Sequence, residues 1–132
     1  MQFSVAVRNA RLDAIESAIG ASAILKIRSG VKPTNMADAS TGTVLATLQL
    51  PADWMAAAAN GSKDKLGTWE DAAADASGTA GYYEITSSAG VVHERGTITA
   101  TGGGGDMEVQ NTSFAVGQNI IVTAKTYVDG NA

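Results

Sequence analysis

The chain has 132 residues, 45% of them hydrophobic and 17% charged, with 9 basic and 13 acidic side chains and a net charge of −4. That length suits one domain able to bury a core, and the charge is low against the roughly 25% of an average protein. No cysteine and a single histidine, His93, exclude a disulfide framework, cysteine nucleophiles and a His-rich metal site. The scattered lysines and arginines exclude the basic face that nucleic acid needs.

Residues 1–22 form the first unit, an N-terminal helix and arm. Val5, Leu12, Ile15 and Ile19 recur at helical spacing. Ser4 or Asn9 is placed to cap the start, and Gly20 to end the helix in the left-handed conformation. The apolar stripe calls for a partner, either this domain's own sheet or a neighbouring subunit. No apolar run approaches the roughly 18 residues of a membrane span. The N-terminus lacks the basic and apolar regions of a secretory signal. The expectation is a protein made and kept in the cytoplasm, or released by lysis, with no membrane partner.

Residues 23–132 carry a different rhythm. "AILKIRS", 23–29, alternates as a strand, and "GVKPTNMADASTG", 30–42, is loop. "TVLATLQL", 43–50, is a strand with Val44, Ala46, Leu48 and Leu50 on one side, stopped by Pro51. "ADWMAAAANG", 52–61, reads either as a short helix from Asp53 to Asn60–Gly61 or as a loop. A weak strand at 65–72 and a turn-rich link at 74–81 follow. "YYEITSS" and "VVHERGTITA", joined at Ala89–Gly90, make a hairpin over 82–100. "DMEVQ", 106–110, is a short strand, and Gly117–Gln118 a turn. "IIVTAKTYV", 120–128, is the last strand, with Ile120, Val122, Ala124 and Val128 on one face. The predicted fold is mainly β, an antiparallel, jelly-roll-like β-sandwich preceded by one α-helix.

Gly102, Gly103, Gly104 and Gly105 stand in a row before Asp106. A P-loop needs a lysine and a hydroxyl after its glycines, and a dinucleotide fingerprint needs a helix after them. Here an acid and a strand follow, so the run reads as a turn with positive φ, or as a loop that clasps a neighbour. Alternation puts His93 with Val91, Arg95 and Thr97 on the outer face, and Glu94 inward beside Val92 and Ile98. No G-x-S-x-G elbow is present. Glu70–Asp71 and the other acids fall mostly in loops and match no calcium-loop pattern. No catalytic, cofactor-binding or metal-binding residue is assigned. Trp54 and Trp69 flank the ambiguous 52–68 segment and are candidate anchors of a subunit contact.

Five stretches in order, "RNARLDAIE", "LKIRSG…P", "TGTVLATLQLP", "GTAGYYEI…SAG" and "GTITATGGGGDMEVQNTSFAVGQNIIVTAKT", cover most of residues 8–126. In them the protein resembles small virion structural proteins of tailed bacteriophages. It departs from their pattern in "KDK" and "VVHERG". The resemblance implies a non-enzymatic particle component located in the virion and made in the host cytoplasm. The expected role is a capsid decoration or cement protein that oligomerises on the head shell, as a trimer, beside copies of itself and the major capsid protein. The alternative is a tail or tail-tip protein that contacts a receptor, through the Trp54–Trp69 loop. Leu12, Ile15, Ile19, Trp54, Trp69 and Gly102 to Gly105 are the candidate interface residues. An enzyme using Glu70 and Asp71 on carbohydrate is the reading that the sequence supports least.

Overall fold

A computed structural model describes residues 1–130; Asn131 and Ala132, the end of the "DGNA" tail, lie outside the described residues. Helix α1 spans Val5–Ile19. Ser4 caps it, accepting from the Val7 amide, and Gly20 closes it at φ 94°, donating its N–H to Glu16 O. Alanines at 6, 10, 14 and 18 favour the helix intrinsically. Leu12 and Ile19 are buried and Ile15 packs against the core, so the stripe lies on the protein's own sheet. Val5, at the first turn, is not part of the buried face and stays 43% exposed.

Ten strands follow: β1 (Ile24–Arg28), β2 (Val44–Gln49), β3 (Ser62–Asp64), β4 (Glu70–Asp71), β5 (Gly78–Thr79), β6 (Tyr82–Thr86), β7 (Val92–Ala100), β8 (Met107–Val109), β9 (Ser113–Phe114) and β10 (Ile120–Val128). Eight of them form one curled sheet in the order β2-β1-β6-β7-β8-β10-β3, with β4 also paired to β10, and β5 and β9 pair separately. The mainly β reading with one N-terminal helix therefore holds. The ladder draws a single curled mixed sheet and a small second one. The curl brings residues 71–75 to the outer edge of β2, where Asp75 N donates to Leu45 O at 2.8 Å and Thr47 N to Asp71 Oδ2 at 3.0 Å. An edge that would otherwise be free to pair with another protein is thereby covered.

Three local features differ from the sequence reading. First, the sheet is not antiparallel throughout, because β7 and β8 run parallel, with Ile98 opposite Met107. A parallel pair ordinarily needs a long crossover. Here residues 101–106 suffice, since Gly102 and Gly104 take φ of 86° and 79° and a Cβ on Gly103 would lie 2.7 Å from Thr99 Cβ. Second, β10 carries a bulge at Thr123: Val122 pairs with Val109, but Ala124 pairs with Glu108. One extra residue flips every later side chain. Lys125 turns inward, and Val128, expected inside, is 72% exposed. Third, of the two readings of 52–61, the loop holds and the helix does not. Asn60 and Gly61, at φ 52° and 75°, form a two-residue turn, closed by paired hydrogen bonds between Ala59 and Ser62 of 2.8 and 2.9 Å. That is the turn Asn-Gly favours in hairpins.

Trp54 and Trp69 are the largest side chains of the core, both fully buried, with ring centroids 6.0 Å apart and tilted at 54°. Each indole N–H is satisfied, Trp54 on Gly20 O at 3.0 Å and Trp69 on Leu66 O at 3.2 Å. The sequence reading made them anchors of a subunit contact; instead both lie in the hydrophobic core, their segment being tied into the sheet by Leu66 N on Trp54 O and Val122 N on Trp69 O, both at 3.0 Å. Trp54→Ala is expected to lower the unfolding free energy by about 3–5 kcal/mol, measured by urea titration of the isolated protein. A loss within about 0.5 kcal/mol, typical of surface positions, would place Trp54 outside the core.

Candidate functional site

Besides the Arg11–Asp129 pair at 3.1 Å, three clusters of charged side chains among the described residues are tied internally. Outside the sheet, Glu84 on β6 is 1% exposed between Arg28 on β1, at 2.7 Å, and Arg95 on β7, at 2.8 Å. Ser40 donates to its second oxygen at 2.6 Å. The Arg95 guanidinium reaches onward to Asn35 O and Asp38 O, both at 3.0 Å. Tyr82 Oη donates to Thr41 O at 2.7 Å. Together these bonds strap the 30–42 loop over the outer face of β1, β6 and β7. Arg95, expected on the solvent face, is on that face but covered by the strap.

On the helix side, Lys63 of β3 is 2% exposed and pairs with Asp13 at 2.7 Å and Glu16 at 3.1 Å. The same two carboxylates accept from Ala58 N and Met55 N, and Asn9 Oδ1 accepts from Gly61 N at 2.9 Å. The polar flank of α1 is thus stitched to residues 55–63.

The third cluster lies inside the curl, where Glu94 indeed points inward. Lys125 Nζ donates to Tyr83 Oη at 2.6 Å and pairs with Glu94 at 2.8 Å. Both tyrosine hydroxyls donate to Glu94, Tyr83 to Oε2 and Tyr127 to Oε1. Lys125 also sits 4.9 and 4.2 Å from the two ring centroids, a cation–π arrangement. A shallow open groove of about 390 Å³ runs past these residues to Asp106 and Val128. Burial and the neighbouring Glu94 carboxylate push both tyrosine pKa values far up. A tyrosine base or nucleophile needs the opposite shift, so these phenols act as permanent donors. With every polar atom of the four residues engaged, the cluster functions as a cross-brace between β6, β7 and β10.

The glycine run is held by β7 and β8. Gly103, Gly104 and Gly105 donate to Ala100 O, Glu108 and Thr99 Oγ1. Asp106 accepts from Thr97 N at 2.9 Å, which, outweighing burial, keeps its carboxyl below the ordinary range. Four of the amides that a phosphate would need, those of Gly103 to Asp106, are already occupied. His93 is exposed, as expected. Of the candidate interface residues, Leu12, Ile15, Ile19, Trp54 and Trp69 face the interior, whereas the glycine loop is on the surface. Among the described residues no group of three or more acids or histidines is placed to hold a metal, and no helix is long and apolar enough to cross a membrane. No protein-family model, curated protein or solved structure matches this sequence.

The three ties set a pH window. Burial opposes the charged form of Glu84, but the bonds from Ser40, Arg95 and Arg28 outweigh it and hold the pKa below 4.5. The Lys63 bond holds Asp13 below 3.8. Stability from such groups is complete above those values and is lost as pH falls through the depressed ones. Tyr83 and Tyr127 are raised above 10.0, and Lys63 above 10.5 because its two acid partners outweigh burial. Their contribution is complete below those values and is lost as pH rises further. Urea midpoints are therefore expected to be flat between about pH 5 and 9 and to fall on either side. Glu84→Gln, which leaves two arginines facing a neutral amide, should cost about 3 kcal/mol or more at neutral pH and flatten the acid limb. A midpoint that rises on acidification below about pH 4 would contradict these assignments.

Proposed function

We propose that this protein is a structural component of a tailed-bacteriophage virion, a capsid decoration protein that oligomerises on the head shell, stabilises it and catalyses nothing. The observation that carries this reading is the outward face of α1. Ala6, Val7, Ala10, Ala14, Ser17 and Ala18 are exposed and uncharged; Arg11, the exposed charge beside them, is held by Asp129 at 3.1 Å, and the helix's acids and Asn9 bond to the body. Small uncharged residues let another surface approach closely without desolvating charge. The inner stripe of Leu12, Ile15 and Ile19 is already covered, so self-association through α1 uses this outer face.

The internal ties support the same reading. A decoration protein works by holding its shape between larger neighbours, and each buried charge here braces a loop, a strand or the helix. The five-stretch resemblance to small phage virion proteins supplies the setting. A trimer suits the local three-fold positions of a shell, with the 101–106 turn and α1 as the surfaces offered to copies and to the capsid protein. A protein that binds the intact shell and not its disrupted form stabilises it by mass action.

The test is the heat release of DNA from particles with and without this protein. Heads lacking it are expected to release DNA at a lower temperature, and adding back the purified protein should restore the original value. Equal release temperatures would overturn the decoration role and favour the tail alternative.

A further inference from the structure

The Asn60–Gly61 turn has a chemical liability that the fold itself restrains. In an Asn-Gly pair the backbone nitrogen of the glycine can attack the asparagine Cγ. The new N–Cγ bond forms as the Cγ–Nδ2 bond of the asparagine breaks. The glycine N–H proton leaves with Nδ2 as ammonia, and water then opens the succinimide to aspartate or isoaspartate. Glycine obstructs this attack least, having no Cβ. Asn60 is exposed, so solvent water and base reach it.

The attacking nitrogen is occupied. Gly61 is buried, and its N–H donates to Asn9 Oδ1 on α1 at 2.9 Å. A Cβ on Gly61 would meet Arg8 Nη1 at 2.5 Å, so the helix rests directly on the turn. Asn60 and Gly61 are also both held at positive φ by the paired Ala59–Ser62 hydrogen bonds. For the nitrogen to lose its proton and swing toward Cγ, the Asn9 bond must break and the turn must open.

We propose that Asn60 is a deamidation site gated by the docking of helix α1. With the helix seated the residue keeps its amide, and each undocking exposes it to a one-way conversion. The product destabilises the docked state in turn. Isoaspartate adds a methylene to the main chain of a two-residue turn, which no longer presents Gly61 N to Asn9. The reaction is spontaneous, requires only water, and does not depend on the proposed virion role.

The experiment is peptide mapping of the full-length protein aged in mildly alkaline buffer, following the amide-to-acid mass change and isoaspartate at residue 60. Asn9→Ala is expected to convert about fivefold faster than the parent, the factor one hydrogen bond of ordinary net strength supplies. Asn9→Asp, which retains an acceptor, should stay at the parent rate. The parent unfolded in urea should be faster than all three. Equal rates in native and urea-unfolded parent would overturn the gating irrespective of how the variants fold, as would equal rates for the parent and a folded Asn9→Ala.

Discussion

The bulge at Thr123 is the constraint on which much of the interior depends. β10 is paired along its length to β8, β3 and β4, and a regular strand would show one face to the core throughout. Its first half does so with Ile120 and Val122. One extra residue then reverses the alternation, so Lys125 and Tyr127 enter the curl in place of Ala124 and Val128. A lysine turned inward demands a carboxylate and acceptors. Glu94, reaching in from β7, supplies the charge, and Tyr83 from β6 supplies an oxygen. Gly96 belongs to the same arrangement, because a Cβ there would meet the Tyr83 ring at 2.6 Å. The cross-brace is the consequence of a single inserted residue.

The other two ties obey the same rule of charge serving shape. In the strap at 30–42 Pro33 is buried, whereas Val31 and Met36 are exposed. The strap is ordered by a guanidinium that collects backbone carbonyls while its other edge is neutralised by Glu84. On the far side, Asn9, Asp13 and Glu16 convert the polar flank of α1 into a set of acceptors for a segment with little regular structure. The low overall charge of the protein and the internal use of that charge are two aspects of one design. What remains outside is bland enough to be covered by other subunits.

Much of the frame was legible from sequence. Ser4 and Gly20 bound α1 through capping chemistry that is local, and β1 and β8 follow the two-residue period, whereas β6 is buried on both faces. The inward Glu94 and outward His93 came from that period as well. The failures share a physical cause. A bulge changes register without leaving a compositional mark, so nothing in "IIVTAKTYV" separates Val122 from Val128. The parallel β7–β8 pair depends on how closely glycine backbones approach Thr99, which is a tertiary fact. The tryptophans were placed at the surface because their segment has no regular period, although an irregular loop can carry its large side chains into a core. For 52–61 the loop reading holds over the helix, and Asn60–Gly61 was the signal that could have decided it: Asn-Gly marks a tight hairpin more strongly than the end of a helix.

The proposed role is that of a small rigid block present in many copies against other subunits. The most direct test of that claim is its copy number in purified particles, by quantitative mass spectrometry after heads and tails are separated. Hundreds of copies confined to heads are predicted. A handful of copies confined to tails, or absence from both fractions, would contradict the claim.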